Sequence, residues 1–302
     1  MTINTTPFFV RPGSGGAVPA RIDPCGDPNS GTAPLKGRRL LRGFTMIELA
    51  VALVIIALLL GSMLVPLHTQ VENRNYDETR RILDQAREAL IGFAAANGRF
   101  PCPACESGTD PTCGTGVEDL ADLANGICGG DVSNPPVYIG FLPATTLGLT
   151  GVDSAGFALD AWGLRQNRIR YAVSSATVTI TRPFTKPNGM RNAGMSSIAG
   201  ATTLLYVCNS ATGVTASNCG TATTLAASVP VVIWSVGPNA ATTGGASADE
   251  RQNPNPTPGF SADRIFVSRT KSGGTSGEFD DIVTWIGAPT LFNRLIASGQ
   301  LP

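Results

Sequence analysis

The sequence predicts an α+β fold in which a long N-terminal helix, half membrane-type and half amphipathic, packs on an antiparallel β-sheet head with a Cys-rich loop insertion. Three observations lead there. An apolar run from Phe44 to Val65 passes directly into residues whose apolar positions recur at three- and four-residue spacing. Short β-rich runs separated by turn residues fill the second half of the chain. Between them lies a stretch of Cys, Gly, Pro and Asp with no apolar period of its own.

The run Phe44 to Val65 holds 22 residues and one charge, Glu48. At ~1.5 Å per residue it matches a hydrocarbon layer of ~30 Å. Lys36, Arg38, Arg39 and Arg42 stand directly before it and orient the N-terminus to the cytoplasm, so that the head lies outside. Residues 1–43 hold six cations and two anions, with Pro, Gly, Thr and Ser and no periodicity. They are expected to be a leader rather than part of the fold.

Beyond residue 66 one helical face carries Val71, Tyr76, Thr79, Ile82, Leu83, Ala86, Ala89, Leu90, Phe93 and Ala94. The opposite face carries Arg74, Asp77, Arg81, Asp84 and Arg87, with Asp77 and Arg81 spaced as an i,i+4 pair. One helix is therefore expected from about 44 to 96, roughly 80 Å long. Pro66 removes a backbone donor and should kink it, and Asn97-Gly98 should end it. The expected organisation is 1–43 leader, 44–66 membrane half, 67–97 amphipathic half, 98–136 Cys-rich loop and 137–302 head, closing on a short helix near Pro289 to Gly299. Head strands are expected over 168–174, 177–181, 204–208, 229–236, 265–268 and 282–286.

Composition narrows the function. Lys plus Arg and Asp plus Glu both number 22, so no overall basic field recommends nucleic acid. The group Arg165, Arg168, Arg170 and Arg182 is small and expected to be a solvated face. The single histidine, His68, leaves no basis for Ser-His-Asp, Cys-His or multi-histidine metal chemistry. No nucleophile, base and orienter set can be named, and no cofactor is implied.

Seven cysteines become six once Cys25 leaves with the leader: Cys102, Cys105, Cys113, Cys128, Cys208 and Cys219. An even set suits disulfides in an oxidising compartment. Cys208 and Cys219 are expected to pair across the turn containing Gly213, while the first four cysteines allow three patterns. Cys102-Pro-Ala-Cys105 lacks the βαβ surroundings of a redox motif, and the spacing of the four does not form paired zinc knuckles.

Gly43-Phe44-Thr45-Met46-Ile47-Glu48, leading straight into the apolar run, resembles the cleavage and N-methylation motif of type IV prepilins and type II secretion pseudopilins. Met46 stands where leucine is commonest in that family. The resemblance implies a type IV pilin fold, cleavage after Gly43, methylation of the new N-terminal Phe44, and a role for Glu48 in assembly, where it meets the freed amine of a neighbouring subunit. A lone carboxylate in an apolar segment costs about 2.5 to 3.5 kcal/mol and calls for such a partner. The local alternative is a capping box, which Thr45-x-x-Glu48 also spells.

Further segments resemble a pilin-like group: Arg99-Phe-Pro-Cys-Pro-Ala104, Gly140-Phe-Leu-Pro-Ala-Thr-Thr-Leu-Gly-Leu149, Asp160-Ala-Trp-Gly163, Ser235-Val-Gly-Pro-Asn239 and Asp280-Asp-Ile-Val-Thr-Trp285. The implied function is a structural subunit, minor by its size, of a type IV pilus or a type II secretion pseudopilus. The implied partners are a prepilin peptidase/methylase, other pilin or pseudopilin subunits, the inner-membrane assembly platform and membrane lipid. The implied location is a single pass of the inner membrane with a periplasmic head, followed by a periplasmic or extracellular filament. Major pseudopilins carry calcium near their C-terminal strands; here Asp280 and Asp281 are weak calcium candidates, and a solvated acidic loop is the reading preferred. The other function classes are a tip adhesion or DNA-uptake module and an anchored periplasmic protein of different activity.

Overall fold

The computed structural model describes residues 43–108, 110–129, 137–177, 182–201, 204–240, 247–253, 259–261, 263–273 and 277–301, with the side chains of 62–68, 199 and 259–261 outside that set. The leader before Gly43, the side chains of Pro66 and His68, and most of the expected strand over 177–181 therefore lie outside the described residues.

In chain order the elements are helix α1 (Met46–Asn97), β1 (Leu120–Asp122), β2 (Ile127–Cys128), β3 (Val137–Phe141), β4 (Arg170–Ser174), α2 (Gly189–Ala193), α3 (Met195–Ala199), β5 (Leu205–Cys208), β6 (Thr224–Val229), β7 (Val231–Ser235), α4 (Ala248–Gln252), β8 (Gly259–Ser261), β9 (Ile265–Val267), β10 (Ile282–Ile286) and α5 (Ala288–Ala297). The chain divides into two compact units, Met1–Ala57 and Leu58–Pro302.

In the first unit the described apolar side chains, from Phe44 and Met46 through Ile56, are exposed. Among the described residues no helix is long and apolar enough to cross a membrane.

The second unit is layered. Tyr76, Leu83, Ala86, Leu90 and Ala94 of α1 pack with Leu291 and Leu295 of α5 against Tyr171, Val173, Val231, Ile233, Ile282 and Ile286 of the strands. Those strands belong to a five-stranded antiparallel sheet in the order β10-β7-β4-β3-β8. Because side chains alternate across a strand, Ala172, Val232 and Trp234 point to the other face, where they meet Leu205, Val207, Val229 and Phe266. The latter come from a second sheet, β6-β5-β9, in which β5 and β9 run parallel. The expected antiparallel sheet is present, and the second sheet stacked on it adds one parallel pair.

Burial on both faces makes β7 apolar from Val231 to Trp234, which hides its two-sidedness from a periodicity argument. The expected run 229–236 is in fact two strands, because Pro230 interrupts the ladder between β6 and β7. Val71, expected on the core face of α1, is exposed. Arg81 bonds Glu78 instead of Asp77, and Arg87 reaches the Trp285 carbonyl at 3.2 Å. The helix ends as Gly98 takes a left-handed φ of 63°, while the Asn97 amide donates to the Phe93 carbonyl.

Disulfides join Cys102 to Cys128, Cys105 to Cys113 and Cys208 to Cys219. Cys102 and Cys105 therefore bond to different partners, so their Cys-x-x-Cys spacing does not form a bridge of its own. Chain-entropy arguments assign the Cys102 bridge, which spans 26 residues, about 3.5 kcal/mol. We expect the double variant Cys102→Ser/Cys128→Ser to lose roughly 3 kcal/mol of stability. Urea unfolding without reductant checks this, and an unchanged midpoint would show the bridge to be incidental to the fold.

Candidate functional site

At the N-terminal end, Gly43 is exposed, and a Cβ placed on it would meet nothing within 4 Å. Phe44 beside it is 80% exposed. The peptide bond between them is open to another protein. Thr45 and Glu48 then close a reciprocal pair: Glu48 N–H donates to Thr45 Oγ1 at 3.3 Å, and Thr45 N–H donates to a Glu48 carboxylate oxygen at 3.4 Å. This is capping-box geometry, so Glu48 serves its own helix start while its side chain remains exposed.

In the head, two segments singled out by sequence meet. Asp160 of the Asp-x-Trp-Gly piece accepts from the Trp162 amide at 3.0 Å, from Asn167 Nδ2 at 2.9 Å and from Ser235 Oγ at 2.6 Å. Ser235 opens the Ser-Val-Gly-Pro-Asn piece, whose Gly237 carbonyl accepts from Asn167 Nδ2 at 2.6 Å and whose Asn239 amide donates to Glu250 at 3.1 Å. Burial pushes the Asp160 carboxyl up, against the pull of its hydrogen bonds.

This network leads to three carboxyl groups. Asp280, Asp281 and Glu250 are 3%, 8% and 2% exposed, and each presents an oxygen within 4.8 Å of the others. The expectation of a solvated acidic loop is therefore corrected. What buries the group is α4: Ser247 caps it, accepting from the Glu250 amide, while the Glu250 side chain accepts from the Ser247 amide. Asn253, just past α4, donates to Asp281 at 2.8 Å. It also exchanges hydrogen bonds with Val267 of β9, closing that sheet edge. The spelling Ser247-x-x-Glu250 is the local sequence signal for α4.

Burial, then the charges of Glu250 and Glu278, push Asp280 up to about 8. Burial above all pushes Asp281 well above the ordinary carboxylate range. The unfolded chain ionises aspartate near ~3.9. With no cation present, a proton on Asp280 thus stabilises the fold fully below that value, and the contribution is lost as pH rises through about 8.

The calcium implied for major pseudopilins can be tested against these residues. Asp280 Oδ1 is buried with no hydrogen-bond partner among the described residues. Gly237 opposite it, at a φ of 64°, leaves space that a Cβ would fill at 2.6 Å from that same oxygen. An all-carboxylate donor set suits a hard cation, so Glu250, Asp280 and Asp281 fit the group.

Of the arginine group, Arg165 is exposed and Arg182 half-buried, so the expectation of a solvated face is corrected at the other two. Arg168 and Arg170 are buried. Arg168 pairs with Asp153 at 2.6 Å and Glu106 at 2.7 Å and lies 4.1 Å from the Phe157 ring. Arg165 pairs with the same Glu106 at 2.9 Å. These side chains line a cleft of about 410 Å³ whose charges are matched internally.

Compared with known families, residues 38–64 match the prokaryotic N-terminal methylation motif. No curated protein and no solved structure matches the chain. The matched segment contains Gly43, Phe44 and Glu48, and it supports a type IV pilin- or pseudopilin-like precursor. The motif implies processing by a prepilin peptidase and assembly with other pilin subunits, and it points to a structural subunit rather than an enzyme.

Proposed function

We propose that this chain is a structural, minor subunit of a type IV pilus or type II secretion pseudopilus, cut after Gly43, methylated on Phe44 and assembled through α1. The observation that carries the reading is the methylation motif over residues 38–64, placed where Gly43 and Phe44 are exposed. The apolar run from Phe44 to Val65 anchors the precursor in the inner membrane and later lies in the filament core. The Glu48 carboxylate meets the Phe44 amine of the neighbouring subunit. Three disulfides support a head that lies in an oxidising compartment. The DNA-uptake alternative draws no support from Arg165 and Arg168, which are matched by Glu106 and Asp153.

The test is to shear filaments from the producing cells, or to cross-link the periplasmic pseudopilus, and probe for the chain. We expect it there in leaderless form and in small amount relative to a main subunit. Its presence only as an unassembled membrane protein would overturn the reading.

A further inference from the structure

We propose that the Cys105–Cys113 bridge is a thiol-exchange site, opened by a dithiol that attacks Cys113 while Asp119 gives a proton to the departing Cys105 sulfur. The inference concerns the head alone and stands whether or not the chain enters a filament.

Three features single this bridge out. Cys113 is half-buried, whereas Cys102, Cys105, Cys128, Cys208 and Cys219 are all buried, so an incoming thiolate reaches Cys113 first. The bridge spans 8 residues, against 26 and 11 for the other two, and the shortest ring constrains the unfolded chain least. An Asp119 carboxyl oxygen lies within 4.8 Å of both sulfurs. Asp119 is 8% exposed, and its Oδ1 has no hydrogen-bond partner among the described residues. Gly129, just past β2, makes room for this carboxyl: a Cβ there would lie 1.9 Å from Oδ1. The Gly129 N–H also donates to the Asp119 carbonyl at 2.8 Å.

Burial, then the charge of Asp110, pushes the Asp119 carboxyl up and so favours the protonated donor. The other acidic groups nearby have their own partners: Glu118 pairs with Arg99, Glu106 with Arg165 and Arg168, and Asp122 accepts from Asn125.

The exchange balances with the dithiol as its sole reductant. One thiolate of the dithiol bonds to Cys113 Sγ as the bond between the two sulfurs breaks. Cys105 leaves with the electron pair and takes the Asp119 proton. The second thiol returns a proton to Asp119 and displaces Cys113 as a thiolate. The dithiol ends oxidised to a disulfide, and the bridge ends reduced to two cysteines.

The experiment uses the full chain in detergent micelles, with free thiols alkylated beforehand. It is reduced with dithiothreitol from about pH 5 to about pH 8, and each bridge is followed by acid quench, alkylation and peptide mass spectrometry. We expect Cys105–Cys113 to open at least about tenfold faster than either other bridge. Divided by the thiolate concentration, its rate should fall about tenfold as Asp119 loses its proton. Asp119→Asn should give a flat profile. Asp110→Asn keeps an oxygen acceptor for Thr112 and should move the fall to lower pH, because the charge that raises Asp119 is gone. Equal rates for the three bridges would overturn the site. A flat profile in the parent, or a fall left in place by either variant, would overturn the role of Asp119.

Discussion

Replacing Gly43 by valine is expected to stop release of the leader while leaving the head unchanged. The structure separates these two consequences. A Cβ at residue 43 meets nothing within 4 Å, so the branched side chain disturbs no packing, and the head residues lie far along the sequence. The effect falls on the peptidase, which must bring catalytic groups against a backbone that glycine leaves bare. A steric misfit of about 2.7 kcal/mol in that transition state slows cleavage about a hundredfold. Gel mobility of the chain in membranes should then show only the longer form. Head disulfides, read by mobility with and without reductant, should match the parent. Normal processing of Gly43→Val would place the cleavage elsewhere.

Replacing Glu48 by leucine is expected to preserve membrane insertion and cleavage yet abolish assembly. Insertion improves, because the carboxylate costs about 2.5 to 3.5 kcal/mol at mid-membrane and leucine costs nothing there. Assembly suffers, because removing one partner of a buried charge pair leaves the other uncompensated, a loss of about 3 kcal/mol or on the order of a hundredfold in incorporation. The capping box adds a control. Glu48 also accepts from Thr45 N–H, and glutamine can take over that bond while carrying no charge. If Glu48→Gln assembles like the parent while Glu48→Leu fails, capping explains the glutamate. If both fail, the charge does. The readout is the amount of leaderless chain in sheared or cross-linked filaments relative to membranes.

The amphipathic part of α1 was legible because its core residues, among them Leu83, Ala86, Leu90 and Ala94, follow the helical period with charges opposite. The second sheet was not, because strands covered on both faces lose the alternation that marks one-sided burial. β3 shows another cause. Its Gly140 looks like a strand breaker, yet the Ala104 carbonyl would lie 2.8 Å from a Cβ there. Ala104 pairs with neighbouring Phe141, and the close approach demands glycine. At the proposed processing site, Gly43, Phe44 and Glu48 are legible because a linear motif carries them. The carboxylate cluster could be found only in part. Asp280 and Asp281 are adjacent, but Glu250 reaches them through the burial of α4, which no local pattern around residue 280 encodes. The first four cysteines posed the same problem, since the pairing of Cys102 with Cys128 depends on where the hairpin of β1 and β2 folds.

The central claim, that this is a prepilin-type precursor, is tested most directly by mass spectrometry of the N-terminal peptide from native membranes, in cells with and without their prepilin peptidase. The account predicts a peptide beginning at methylated Phe44 that vanishes when the peptidase is absent. A leader retained in both cells, or an N-terminus at another residue, would contradict it.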